Sequence, residues 1–596
     1  MSARWLIWVV LTGLIVTGLA CSTRPAGKDT SSEEKTTTAN KPPAGPPLFE
    51  DVTAASGVIF SYDNGESAAN HLAILESLGG GVGLLDFDGD GLLDLFCVGG
   101  GTYTGPDSKT IIGRPCKLFR NKGNLKFEDV TATVGLTTLA NGQPWFYSHA
   151  VAVTDYDRDG YSDLLVTGWA QVALFRNMPD GKGGRRFEEV TARAGLDRGF
   201  QWATSAGFGD LDGDGYPDLY VCQYVDWSWK KHPACTYDGK TPDVCPPRNF
   251  AGLQHRLFHN NGKGGFTDVT HSAGLRPGGE TASKGLGVLL VDLNADGKPE
   301  IYVCNDTVDK FLYVNQSKPG QLLFSEQGLM SGAARDNSGS PNGSMGVDAG
   351  DPLRDGKPAL WVTNYENELH ALYRNECRNN LMVFNYHTQA AGIAALGQVY
   401  VGWGTAFVDT DLDGWEDIFV TNGHAIRYPF GRGVYRKQSP VLLMNNKGRF
   451  SLATDRLGDY GTRRHLGRGA AFGDLDNDGR IDIVLCPMNE PVTILRGIGG
   501  KEHHWLGVQL LGKDHADYVG ARVVLETKDG TQTRFAKGGG SYASANDRRL
   551  VFGLGTLDRV ESLTVYWPDG TQQTISAPAV DRYHKIQASG TASVRR

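Results

Sequence analysis

Aspartates recur along this chain at intervals that suit a hard cation. Residues 86–94 read DFDGDGLLD, with carboxylates at positions 1, 3, 5 and 9 and glycine at position 6. The pattern returns as DYDRDGYSD at 155, DLDGDGYPD at 210, DLNADGKPE at 292, DTDLDGWED at 409 and DLDNDGRID at 474. A degraded copy, DPLRDGKPA, begins at 351. Calcium takes six to eight oxygens from a chain that curls around it, and Gly at 6 permits the sharp turn. The expected ligands are therefore Asp86, Asp88, Asp90 and Asp94; Asp155, Asp157, Asp159 and Asp163; and Asp210, Asp212, Asp214 and Asp218. They continue with Asp292, Asn294, Asp296 and Glu300; Asp409, Asp411, Asp413 and Asp417; and Asp474, Asp476, Asp478 and Asp482. Leu353 and Ala359 replace donors in the degraded copy, so about six ions are expected and the fifth loop should be empty.

These loops are not EF-hands. Cys97 stands at position 12 of the first, where a bidentate Glu would be needed, and no helix pattern comes after it. The loops lead instead into LFCV, LLVT, LYVC, IYVC, IFVT or IVLC, all strand sequences. Upstream, the residues five before the first acid are Gly81, Ala150, Ser205, Gly287, Gly346, Gly404 and Gly469. Those seven before it are Gly79, Ser148, Ala203, Gly285, Ser344, Gly402 and Gly467. A period of two puts both sets on one strand face, and seven such strands imply a crowded central axis. Downstream come LFRN-like third strands at 118, 174, 257, 312, 372 and 442, then fourth strands at 127, 187, 266, 324, 384 and 450. The seventh unit reaches TILR at 493–496 and stops, whereas FEDVT at 49–53 stands alone near the N-terminus. A ring closed by that strand accounts for both facts. The expected fold is all-β, a seven-bladed β-propeller over 48–500 with a β-sandwich-like domain over 501–596, packed beside it. Each acidic loop then joins the first and second strands of a blade, and an ion there staples the turn.

The N-terminus reads as an export signal. Arg4 precedes an apolar run ending in GLAC, so 1–21 is expected to be a lipoprotein-type signal peptide with Cys21 lipidated. Residues 22–47 are polar and Pro-rich, a disordered tether. Cys235 and Cys245 share one loop-like insert and form the candidate disulfide, while Cys222, Cys304 and Cys486 fall inside strands as small core residues. The net charge of -8 and the lack of a basic block argue against nucleic acid as a partner. No GxSxG, HExxH, paired CxxC or phosphate-binding glycine loop occurs. His149, Trp403 and Arg468 occupy equivalent positions six before their loops and, with Glu76, could line one end of the channel. WSWKKHPACTYDG at 227–239 is an aromatic and basic insert suited to ligand contact.

The loops and their flanking strands resemble the FG-GAP/VCBS repeats of integrin α-subunit propellers. The segments HHWLGVQLLG, YVGARVVLETKDG, GGGSYASANDRRLVFGLG and LTVYWPDGTQQTI resemble the ASPIC/UnbV domain of the cartilage acidic protein family. SYASANDRR lacks the Gln that the family usually carries beside the serine. The resemblance implies extracellular calcium binding with protein or glycan contacts, and no settled reaction. The expected function is an exported, lipid-anchored binding or adhesion module at the cell envelope (outer membrane or surface). The alternative is a propeller enzyme with a channel-mouth site, acting on polysaccharide or in an oxidative pathway. Extracellular sites with dissociation constants on the order of 0.1–1 mM suit the stapling role.

Overall fold

The computed structural model describes residues 45–279, 283–378, 381–431 and 433–588. Residues 1–44, on which the expected signal peptide, Cys21 and most of the expected tether fall, lie outside the described residues. Seven antiparallel sheets of four blade strands succeed one another in chain order, the fourth extended by a fifth strand from the C-terminal part of the chain. Their inner strands are Val82–Leu85, Ser148–Thr154, Ala203–Gly209, Gly285–Val291, Ser344–Gly350, Gly402–Val408 and Gly469–Gly473. Each packs against the inner strand of the next blade, and the seventh returns to the first. Phe49–Asp51 is the outer strand of the seventh blade, paired with Thr493–Gly497 in the register Phe49↔Gly497. The protein is a seven-bladed propeller closed by its N-terminal strand.

The small residues upstream of the loops are there because inner strands touch. Gly81 donates its N–H to the His149 carbonyl of the next blade (2.9 Å), Gly404 to that of Arg468 (2.9 Å) and Gly469 to that of Gly80 (3.1 Å). A Cβ on Gly346 would lie 1.9 Å from the Trp403 carbonyl oxygen, so no other residue fits at that crossing.

A second set of bridges runs around the rim of acidic loops. In six blades the last residue of the LFRN-like strand is Asn, and its Nδ2 donates to two carbonyls. One belongs to position 8 of its own loop and the other to position 2 of the preceding blade's loop. Asn121 binds Leu93 (3.0 Å) and Leu475 of the seventh blade (2.9 Å), so it also locks the ring closure. Asn177, Asn260, Asn315, Asn375 and Asn445 repeat the bridge to Phe87, Tyr156, Leu211, Leu293 and Pro352. The seventh blade has Gly497 at this place, which pairs with Phe49 as Asn121 pairs with Phe127 but has no side chain to make the bridge.

Residues 504–587 form a three-stranded and a four-stranded sheet around a core of Leu506, Val508, Val523, Leu525, Phe552, Leu563 and Val565. The sandwich does not simply lie beside the propeller. It sits on the face of acidic loops and sends residues 537–549 down the central channel. There Gly538–Gly539 pairs with the inner strand of blade 4, Ser541 exchanges two backbone hydrogen bonds with Val347 of blade 5, and Ala545 does the same with Val82 and Leu84 of blade 1. Val151 donates to the Ala543 carbonyl (3.2 Å), Ala543 donates to Ser205 Oγ (3.2 Å), Thr405 donates to Ser541 Oγ (3.2 Å), and Ser541 Oγ donates to the Ala470 carbonyl (2.7 Å). All seven blades therefore bind one segment. The edges of inner strands carry backbone groups that cannot reach water, and this segment satisfies them.

Replacing Asn121 with Ala leaves two buried carbonyls short of a donor at the ring closure and should destabilise the protein by about 1–3 kcal/mol. The thermal midpoint should drop, while Asn446→Ala, an exposed asparagine next to the bridging Asn445 of blade 6, should leave it unchanged. Equal midpoints for both variants would refute the bridging role.

Candidate metal centres

Every acidic loop shares one backbone shape, set mostly by its own side chains. The first carboxylate turns back on the loop: Asp86 accepts the N–H of Gly89, Asp90 and Gly91 at 2.8–3.1 Å. Asp155, Asp210, Asp409 and Asp474 do likewise with the amide of position 6 at 2.8 Å each. Position 6 is left-handed in all seven loops, with φ between 78° at Gly356 and 91° at Gly160 and Gly215. Position 4 is left-handed too, although Arg158, Ala295, Arg354, Leu412 and Asn477 occupy it. An L-residue in that region costs about 1–2 kcal/mol, and the spacing of acids gives no sign of it.

The ninth residue is the most buried part. Asp94, Asp163, Asp218, Glu300, Asp417 and Asp482 are each 0–1 % exposed. Asp94 accepts the amide of Phe87 at position 2 (3.0 Å) and that of Asn121 on the third strand (2.7 Å). Asp163, Asp218, Asp417 and Asp482 repeat both contacts at 2.7–3.1 Å. This carboxylate therefore fastens the turn to the third strand. The degraded fifth loop is consistent with that role: Ala359 replaces the acid, and Pro352 at position 2 has no N–H to offer.

Position 3 marks the loops as candidate cation sites. Oδ1 of Asp88, Asp157, Asp411 and Asp476 is buried and accepts no hydrogen bond from the described residues. An unsatisfied buried carboxylate oxygen is costly, and the same atom is left over in four separate blades. One carboxylate oxygen from each of Asp86, Asp88 and Asp90 lies within 4.8 Å of the others, as for Asp155, Asp157 and Asp159, for Asp409, Asp411 and Asp413, and for Asp210, Asp212 and Asp218. A divalent ion among these donors would satisfy the orphaned atom, so the residues present fit such an ion. Outside the ring of acids the third strand supplies cations. Arg120 meets Asp88 at 2.6 Å, Arg176 meets Asp157 at 2.5 Å and Arg496 meets Asp476 at 2.8 Å.

Burial pushes these acids up. Asp94 rises to about 8, Asp210 to about 7, and Asp155, Asp292 and Asp474 to about 6. Asp163, Asp218, Glu300, Asp417 and Asp482 are held well above the carboxylate range for the same reason.

The C-terminal domain touches several loops directly. Tyr583 donates to Oδ2 of Asp474 (2.8 Å), Asp517 accepts the amide of Asp210 (3.0 Å) and Gly555 donates to the Leu412 carbonyl (2.7 Å). Between the sandwich and the first two loops a cleft of about 250 Å³ remains, lined in part by Asp86, Asp155, His515, Arg548 and Lys585.

The residues expected at a channel mouth are engaged otherwise. Arg468 is fully buried and donates to the carbonyls of Ser77, Gly423, Gly467 and His424, with its guanidinium 4.1 Å from the Trp403 ring. His149 accepts from Trp202 Nε1 (3.0 Å), shares Nδ1 with Tyr62 and Gly79, and is pushed down to about 4 by burial. Glu76 is clamped by Arg427. Tyr542, at the tip of the inserted segment, donates to the Leu78 carbonyl (3.0 Å) and packs on Trp403, so the axis is filled between them. Cys235 and Cys245 are joined by a disulfide within the 227–245 insert. His424 is fully buried, its Nδ1 accepting from the Ile426 amide.

The fold and these loops define the class, a propeller of FG-GAP-like repeats carrying a C-terminal ASPIC and UnbV domain. The repeat pattern matches residues 86–166, 155–221 and 409–485, and the ASPIC and UnbV pattern matches 512–593. The chain is homologous to cartilage acidic protein 1. It is 23% identical to the Mus musculus protein over 546 residues (88% of this chain, 67% of that one) and 24% identical to the Homo sapiens protein over 525 (85% and 62%). Identity to the Xenopus tropicalis protein is 24% over 585 residues (88% and 74%). This chain thus spans roughly two thirds of the length of these relatives.

The raised acids fix the sign of a pH effect. Unfolded carboxylates titrate near about 4, so between about pH 4 and 8 the ion-free fold holds more protons than the unfolded chain. Their stabilisation is complete below that range and is lost as pH rises through it. In chelator the thermal midpoint should fall from about pH 5 to 8; a midpoint that climbs over this window would contradict the burial argument.

Proposed function

We propose that this chain is an exported, lipid-anchored, calcium-binding propeller that acts as a protein- or glycan-binding module at the cell envelope. The observation that carries the calcium reading is the set of four orphaned position-3 oxygens, one in each of four loops. The donors are all carboxylate, amide or backbone oxygens, a set that suits calcium, and six loops retain the full side-chain complement. Asp86, Asp88, Asp90 and Asp94, with their counterparts in five other blades, would hold the ions, one per loop. The fifth loop keeps its turn without two of the donors and is assigned none.

The binding reading is supported by the opposite face. Second strands start at the acidic loops, so the loops after them emerge at the far end of the blades. The disulfide-tied insert and the 424–438 loop meet there, where Asp243 accepts the amides of Arg427 and Tyr428 (both 2.8 Å). Tyr428, Phe430 and Tyr435 are about half exposed beside them (54%, 60% and 47%), and Trp229 is half-buried against His71 and Tyr103. Aromatic groups presented on rigidly held loops are a common basis for contact with proteins and sugars. Export and anchoring rest on the apolar run ending in GLAC at Cys21.

Asp88→Ala or Asp411→Ala should lower the thermal midpoint in calcium and leave it unchanged in chelator. Equal losses in both conditions would mean that these carboxylates act without an ion. Cys21→Ser should release the protein from the membrane fraction, and continued tight association would reject the lipid anchor.

A further inference from the structure

The third blade differs from blades 1, 2, 5 and 7 at one residue that faces the acids from outside. In blades 1, 2 and 7 an arginine on the third strand bridges the outer oxygens of positions 3 and 5. Arg120 Nη2 lies 2.6 Å from Asp88 and 3.1 Å from Asp90, and Arg496 Nη2 lies 2.8 Å from Asp476 and 3.3 Å from Asp478. Arg176 spans Asp157 and Asp159 in the same way, at 2.5 and 3.6 Å. Three blades thus mark the same point, outside the loop, as a place for positive charge. In blade 3 that residue is His259. Its Nε2 stands 3.2 Å from Oδ2 of Asp212 and 3.8 Å from Oδ2 of Asp214.

The exchange alters the chemistry. A guanidinium has no lone pair and can only substitute for an ion, whereas a neutral imidazole is a ligand. One imidazole with two carboxylates forms a donor set that a first-row transition dication prefers over calcium. Two ligands on zinc at about 2.1 Å and a tetrahedral angle are roughly 3.4 Å apart, and the two distances from Nε2 bracket that value. The three ligand atoms all lie within 4.8 Å of one another. Asp212 is fully buried and its Oδ2 also accepts the Gly320 amide (2.7 Å), so this carboxylate is held in place by the neighbouring blade. Asp214 and His259 are 27% and 21% exposed, which leaves room for water as a further ligand.

We propose that Asp212, Asp214 and His259 form a transition-metal site of the zinc class on the outer side of the third loop, distinct from the six inner ion positions. The site goes beyond the calcium reading and does not need it: the inner ion would use the inward oxygens, whereas this one uses the outer oxygens. It is specific to blade 3. The corresponding residues elsewhere are Arg120, Arg176, Val314, Arg374, Met444 and Arg496, none of which ligates a hard or borderline metal.

The test is a zinc titration of the protein in saturating calcium, read by calorimetry, with cobalt(II) absorption as a spectroscopic reporter. Wild type should take up one zinc per chain, and cobalt should give visible bands that zinc then abolishes. His259→Arg installs the arginine of blades 1, 2, 5 and 7, so it should eliminate the zinc step and the cobalt bands while keeping the wild-type thermal midpoint. His259→Gln serves the same purpose should the arginine variant fold poorly. An unchanged zinc step in both variants, or no zinc step in wild type, would overturn the proposal. The calcium count on the same samples reads the inner sites separately, so loss of calcium with retained zinc would strike only the calcium reading.

Discussion

The constraint on which the rest depends is the burial of a carboxylate at the base of six of the seven blades. Six blades place an Asp or Glu that is 0–1 % exposed at the start of the second strand, where it receives amides from the loop and from the third strand. Such a group fastens three segments at one point, but only if its charge is tolerated. Protons can supply that tolerance, which is why Asp94 rises to about 8. A cation bound there would supply it better, because it would also satisfy the orphaned oxygen at position 3. The six asparagine bridges then carry the arrangement from one loop to the next around the ring.

The axis poses the opposite problem. Seven inner strands converge with their edges facing inward, and backbone groups there have no sheet partner. A propeller can leave such a channel to water. Here the C-terminal domain fills it with residues 537–549, and all seven blades hydrogen-bond to the inserted chain. Propeller and sandwich therefore share one core along the axis. The acidic loops on one face are touched by the same domain that plugs the channel, through Tyr583 on Asp474 and Asp517 on the Asp210 amide.

Much of this could be read from the sequence because it repeats. Seven copies of one pattern fix strand order, the crowded inner face and the ring closure by the stray FEDVT at 49–53. The asparagine bridge also left a trace: Asn ends the third strand in six units and Gly497 in the seventh, although spacing alone cannot name two carbonyls as its partners. The inserted segment could not be read. GGGSYASAND has no period, and apart from Ser205 Oγ its partners are backbone groups scattered over the other blades, so no repeating side-chain pattern records them. Arg468 and His149 misled for a related reason. Polar residues near an axis look like a site, but Arg468 meets four carbonyls and His149 has both ring nitrogens engaged. The left-handed residue at position 4 is hidden because arginine, alanine and leucine accept it under the constraint of the turn.

The most direct measurement is calcium stoichiometry paired with thermal melts of the same protein, with calcium and with chelator. If buried carboxylates are sustained by cations, the count should be about six ions per chain, one for each loop with a full donor set. Adding calcium should then raise the midpoint by a large margin. Zero or one ion with no shift would contradict this, because the buried carboxylates would be sustained by protons and backbone amides alone.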